Sequence, residues 1–135
     1  MLLNSSIKKS NPDKMVEVTW HTLLSYSLSK DSISGHFAIP AESLWFDGHF
    51  PGEPVLPGVS MLCMVQELII KADPGIRITG LRRTRFRQVV HGNAFLNIKI
   101  EWENQSNSKV VSFDIAVNEN LICSGFIETD RPIDN

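Results

Sequence analysis

The sequence predicts an α+β domain: one central buried helix wrapped by an antiparallel sheet of about six strands. Three observations predict it. Gly58 to Lys71 has no proline or glycine after its first residue and is apolar almost all round. Two later stretches alternate apolar and polar residues with period two. Between the first strands and the helix, Phe46 to Gly58 holds three prolines and three glycines, a density that forbids a regular element and implies a rigid, shaped loop.

The elements follow in chain order. Met1 to Lys14 is rich in Ser, Asn and Lys and reads as a loose arm (residues 1–14), ahead of a single domain (15–135). Val16 to Ser27 and Ile33 to Ile39 carry β-branched and aromatic residues and are divided by Lys30-Asp31, so they read as two strands and a turn. Pro57 sits where a helix begins, and Pro74-Gly75 stops it. The helix between them would be ~21 Å long. Val59, Met61, Leu62, Cys63, Met64, Val65, Leu68, Ile69 and Ile70 leave it almost no polar face, so it must be surrounded. Ile76 to Phe86 reads as an irregular strand. Leu96, Ile98, Ile100 and Trp102 form one face of another, and Val111, Phe113, Ile115 and Val117 one face of a third. Asn118-Glu119-Asn120 turns into a last strand, Leu121 to Glu128. A sheet covers only one side of the helix, and a second subunit is the natural cover for the other.

Composition limits the function classes. The chain has 135 residues, enough for one core, with 42% hydrophobic and 21% charged residues. A net charge of -2 argues against a protein that coats nucleic acid. Cys63 and Cys123 make neither a disulfide scaffold nor a zinc pattern. The longest apolar run, Val59 to Ile70, is interrupted by Ser60, Gln66 and Glu67 and falls short of a membrane span. The first residues lack the apolar core of a secretion signal, and the expected location is the cytoplasm.

The chemistry is concentrated in Phe46 to Val59. His49 lies between Gly48 and Phe50 on a backbone stiffened by Pro51, Pro54 and Pro57, and a fixed imidazole is what general-base work needs. The helix start offers backbone N–H groups at Gly58 and Val59 to polarise a carbonyl. A base beside such a site suits proton abstraction next to a carbonyl or thioester. The bland alternative is a structural histidine in a tight loop.

The segment G-H-F-P-G-x-P-V-x-P-G-V, Gly48 to Val59, resembles the active-site motif of the hot-dog-fold 3-hydroxyacyl-acyl-carrier-protein dehydratases of the FabZ/FabA type. Gln66 fits the family's E-A-M-A-Q continuation, and Phe86 to Asn93 is similar to its F-R-x-P-V-x-P-G-D stretch, one residue shorter. The resemblance covers roughly Ser32 to Glu103. It implies a hot-dog fold working as a dimer with sites at the interface. It implies His49 as the group that moves the Cα proton, Val55 orienting His49 through its carbonyl, and Gly58 polarising the thioester. Phe50, Val59 and Gln66 would line the substrate site. The substrate would be an acyl chain on the phosphopantetheine of an acyl carrier protein, in fatty-acid-type biosynthesis, with no cofactor.

The family's second catalytic group, an acid fourteen positions after the His on the central helix, is Cys63 here. A thiol with a reference pKa of ~8.5, against ~4.3 for Glu, is a poor acid for a leaving hydroxide. Three substitutes present themselves. Glu67 lies one turn beyond Cys63, and its bland reading is an exposed charge near the helix end. Glu53 sits on the motif loop and reads otherwise as a solvated carboxylate. Cys63 could itself act as a nucleophile, and its bland reading is an inert buried thiol among Leu62, Met64 and Val65. Upstream, Val18 to Leu24 shows no match to the family's H-R-x-P-F-L-L-V-D stretch.

Arg77, Arg82, Arg83, Arg85 and Arg87 fall within eleven residues. Arg85 and Arg87 are candidates for docking an acidic carrier protein and its phosphate, against the alternative of a solvated strand face. No aromatic platform interleaves with them, so nucleic acid is not an expected partner. His21, His36 and His91 are scattered, and no metal site is expected. Trp20, Trp45 and Trp102 read as core, with Trp45 a second candidate for an acyl pocket wall. The expected function is a dehydratase-like lyase acting on 3-hydroxyacyl or enoyl thioesters as a homodimer or higher oligomer, a trimer of dimers included. The alternatives are an acyl-carrier-binding subunit that forms a heterodimer with an active homologue, or a thioesterase on the same fold.

Overall fold

The structure is a computed structural model that describes residues 6–10, 15–46 and 55–134, with side chains from residue 20 onward. Two strands, β1 (Ser6–Ser10) and β2 (Met15–Thr19), pair antiparallel as a separate ribbon. Part of the stretch read as an arm is therefore paired strand. Six further strands make one antiparallel sheet: β3 (Thr22–Leu28), β4 (Ser32–Ile39), β5 (Ile78–Phe86), β6 (Ala94–Glu101), β7 (Val110–Val117) and β8 (Asn120–Thr129). Their order across the sheet is β3-β4-β6-β7-β8-β5. A short 3-10 helix, Leu44–Phe46, and the long helix α1, Gly58–Ala72, lie in the chain between β4 and β5.

The period-two pattern sets the register. Ile33, Gly35 and Phe37 of β4 face Ile100, Ile98 and Leu96 of β6, and Ile98 and Ile100 face Ile115 and Phe113 of β7. These side chains are at most 1% exposed and form the layer on which α1 lies. Met61, Met64, Val65, Leu68 and Ile69 of α1 pack into the same core. Gly35 is required there: a Cβ on it would sit 2.7 Å from Leu68 Cδ2, so its absence lets the helix come down onto the sheet.

The long N-terminal strand expected over Val16 to Ser27 is two strands, broken at Trp20-His21. No proline or glycine marks the break. It arises because His21 turns inward, to 1% exposure, while the Ser43 hydroxyl donates to the Trp20 carbonyl. Trp102, expected within β6, lies just past its end and donates its indole N–H to the Lys30 carbonyl at 3.0 Å. No helix among the described residues is long and apolar enough to cross a membrane.

Candidate active site

The site is built around the start of α1. Pro57, with φ -64° and ψ 144°, delivers an extended chain into the helix, and no side chain among the described residues caps the helix end. Ser60 turns inward, its N–H (3.0 Å) and hydroxyl (2.6 Å) both donating to the Pro57 carbonyl. The amino end of α1 thus carries the partial positive charge of a helix terminus, with no side-chain acceptor on it among the described residues. The Phe86 ring lies against it: a Cβ on Gly58 would be 2.9 Å from Phe86 Cζ, so any residue but glycine would displace the ring. Behind them, Leu56 N–H donates to the Val90 carbonyl at 2.7 Å and Val55 bridges to His91. Of the two stretches singled out in the sequence, the described end of the first, 55–59, meets the second, 86–93, here.

From this point a groove of ≈ 320 Å³ runs along α1, lined by Val59, Leu62, Cys63 and Gln66 and, from the sheet, by Ile78, Leu81 and Ile127. Cys63 is half-buried in it, and desolvation pushes its thiol above the ordinary range. At neutral pH it is therefore protonated, and neither a ready nucleophile nor a strong acid. Val59 stands 59% exposed at the groove mouth.

Glu67 is not the exposed charge its position near the helix end suggested. It is 4% exposed, lies outside the groove lining, and meets His21 Nε2 through Oε2 at 2.9 Å. His21 Nδ1 in turn accepts the Trp45 indole N–H at 3.1 Å. Trp45 is buried against Trp20, with ring centroids 4.7 Å apart, and is a core residue rather than a wall of the groove. This Trp45–His21–Glu67 cluster was not foreseen. Its members lie 24 and 46 residues apart, and no local pattern links them. His49, Phe50 and Glu53 lie outside the described residues.

The arginines stand on β5 and just around it, all exposed. Arg82 pairs with Glu128 at 3.3 Å, and Arg83 takes a positive φ of 49° where the β5–β8 register slips between Arg82 and Arg85. Arg87 N–H donates to the Ile122 carbonyl, which holds the start of the 87–93 segment to β8. Arg85 and Arg87 therefore flank Phe86, next to the helix start. Among the described residues, no cluster of His, Cys, Asp or Glu side chains is placed to hold a metal ion.

Comparison with known proteins agrees with this geometry. A family model described as ApeI-like, ApeI dehydratase, matches residues 25–126. The chain is 32% identical over 89 residues to a 3-hydroxyacyl-acyl-carrier-protein dehydratase FabZ of Levilactobacillus brevis, covering 59% of this chain and 60% of that protein. It is 30% identical over 90 residues to the protein of the same name from Chlamydia trachomatis, covering 59% of each. The match thus spans about 60% of the length of these relatives. Among solved structures, the dehydratase heterocomplex ApeI:P from Xenorhabdus doucetiae superimposes with a TM-score of 0.70 at 20% identity, over 79% of this chain and 95% of that one. The architecture is the α+β hot-dog fold.

Proposed function

The chain belongs to the ApeI-like dehydratase family, and from that premise we propose that it acts on 3-hydroxyacyl or enoyl thioesters held on an acyl carrier protein, with His49 moving the proton. The observation that carries the reading is the amino end of α1, uncapped by any side chain among the described residues and set at the mouth of an apolar groove that follows the histidine segment in sequence. In the direction of water loss, His49 takes the Cα proton. The electron pair moves toward the thioester carbonyl, whose oxygen is stabilised by the Gly58 N–H. The C3–O bond then breaks, and the hydroxyl leaves with a proton as water. The step is redox-neutral and calls for no cofactor. The acyl chain lies along Val59, Leu62 and Gln66. Arg85 and Arg87 meet the phosphate of the carrier's arm in the cytoplasm.

The proton for the departing hydroxyl is the open term. Cys63 stands at the position the resemblance gives to the acid, and a thiol raised by desolvation is a weak donor. This favours a second reading, in which the chain is one half of a heteromer whose other half brings the acid. The similarity to one chain of a dehydratase heterocomplex supports it.

The test is incubation with 3-hydroxyacyl and trans-2-enoyl thioesters on a carrier protein, followed by mass spectrometry. Loss or gain of one water is expected, and His49→Ala is expected to lower the rate by about 100- to 10,000-fold. Turnover that survives His49→Ala rejects the mechanism. Turnover that begins only when an acid-bearing homologue is added selects the heteromer. Release of free acid makes the protein a thioesterase instead.

A further inference from the structure

The six-stranded sheet has two edges, β3 and β5, and they are built differently. β3 carries no charged residue. β5 carries three arginines, Arg82, Arg83 and Arg85, and no acidic residue. Its outward backbone N–H and C=O groups face no strand among the described residues. Arg82 meets Glu128 at 3.3 Å, yet its side chain stays 60% exposed. Arg83 and Arg85 form no ion pair among the described residues. The chain as a whole carries a net charge of -2, so this edge is a local reversal of sign.

The two faces of β5 differ as well. Leu81 and Phe86 lie opposite the buried Ile127 and Cys123 of β8, so they stand on the helix side, 45% and 47% exposed. Leu81 helps to line the groove along α1. Arg82 and Arg85 lie opposite Phe126 and Ser124 and stand on the outer side. There a second groove, of ≈ 240 Å³, is lined by Arg82, Arg83, Val110 and Phe126. A strand laid along β5 sends alternate side chains to the two faces. Those on the helix side meet Leu81, Phe86 and the open side of α1. Those on the outer side meet guanidinium groups. The complementary strand therefore alternates apolar residues with Asp or Glu.

A second copy of this chain supplies the apolar half of that pattern and not the acidic half. A two-fold register that pairs the whole of β5 has its axis at the middle residue, Arg82. It sets Arg82 against its own copy, with Arg83 and Arg85 close by. Like charges opposed in this way are destabilising, and charge is a device by which natural edge strands avoid pairing with themselves. The apolar surface accepts either chain, and the arginines discriminate between them.

We propose that β5 is a strand-pairing edge for a different chain, one whose own edge strand alternates apolar and acidic residues, and that Arg82 and Arg83 select that chain over a second copy. The selection is independent of which group moves the proton.

The test makes an acidic edge from the protein itself. Arg82→Glu with Arg83→Glu reverses the charge on β5, and Arg82→Gln with Arg83→Gln removes it. Circular dichroism checks that both fold. Wild type and the Glu variant, tagged to differ in mass, are mixed and read by native mass spectrometry. The mixed pair is expected to exceed its random share, relative to the two self-pairs, by about fivefold at low salt. That excess is expected to vanish in about 1 M salt. The Gln variant is expected to self-associate about fivefold more tightly than wild type in the same low-salt buffer. A labelled peptide of the length of β5, alternating Val and Glu, gives a second readout. It is expected to bind wild type with amide shifts along β5 and not along β3, and to bind the Glu variant at least about 10-fold more weakly. The same peptide with Lys in place of Glu is expected not to bind. Random pairing in the mixture, or no mixed pair at all, overturns selection by Arg82 and Arg83. Peptide binding that is indifferent to Glu or Lys, or that shifts β3 instead, overturns β5 as the edge.

Discussion

Cys63 is the residue on which the proposed chemistry turns. Its side chain is half-buried, lining the groove beside Val59, Leu62 and Gln66 while packing against the edge of the core. A carboxyl group placed there would lose water on the apolar side. Desolvation would raise its pKa toward neutrality, which is the protonated state that a departing hydroxyl needs. Cys63→Glu is therefore expected to raise the dehydration rate of a 3-hydroxyacyl thioester by at least about 10-fold, read as initial velocity with and without an acid-bearing partner. No gain in either setting would mean that the groove is not where water leaves. The proline-rich segment stood out in the sequence by residue types alone, and its stretch 47–54 lies outside the described residues. Glu67 was not legible. At four residues from Cys63 it projects about 40° further round the helix, and that rotation carries it off the groove and onto His21. Its partner is 46 residues away in sequence, so only the folded chain discloses that the carboxylate is buried and paired.

At the scale of elements, the carboxyl end of α1 is held as firmly as its amino end is open. Asp73 closes the helix through its N–H to the Ile69 carbonyl at 2.9 Å. Its carboxylate receives Arg131 Nη1 and Nη2 at 2.5 and 2.9 Å and the Asp134 N–H at 3.0 Å. This ties the helix to the chain that leaves β8. Burial by itself would push the Asp73 carboxyl up. The Arg131 hydrogen bonds, the Asp134 N–H and the Arg131 charge outweigh it and hold the carboxyl below the ordinary carboxylate range. The folded state therefore binds the Asp73 proton less readily than the unfolded state. The stabilisation is complete above pH ~4 and is lost as pH falls through the lowered folded value. Asp73→Asn is expected to remove about 1–3 kcal/mol at pH 7, and its urea midpoint is expected to fall less steeply than that of the wild type between pH 5 and pH 3. Parallel pH profiles for the two proteins would deny Asp73 this role. The elements themselves were read well where one face is apolar: α1 begins at Gly58 as expected and ends at Ala72 rather than Lys71, and β7 runs Val110–Val117. The reading failed at Trp20-His21, where a tertiary contact bends a strand that local propensity would have continued.

For the whole molecule, the question is what covers the outer side of α1. The sheet buries Ser60, Met61, Met64, Val65, Leu68, Ile69 and Ala72. The stripe Val59, Leu62, Cys63, Gln66 and Ile70 remains partly open to solvent, at spacings that put all five on one helix face. It continues into Leu81, which is 45% exposed on β5. A mostly apolar stripe of this length, running from the proposed reaction site, is the surface a second chain is expected to cover, and a site at the foot of the stripe would then be completed by residues of both. The purified protein is expected to show at least twice the chain mass by light scattering. Leu62→Asp, which places a charge mid-stripe on a half-buried side chain at the edge of the core, is expected to yield a monomer that keeps its far-ultraviolet circular dichroism. That monomer is also expected to lose turnover if a partner completes the groove. A wild-type chain that is monomeric alone, yet assembles with an acid-bearing homologue and is blocked from doing so by Leu62→Asp, would assign the stripe to a heteromer. A wild-type chain that stays monomeric in both settings and still turns over would show that one groove suffices and that the apolar stripe faces substrate alone.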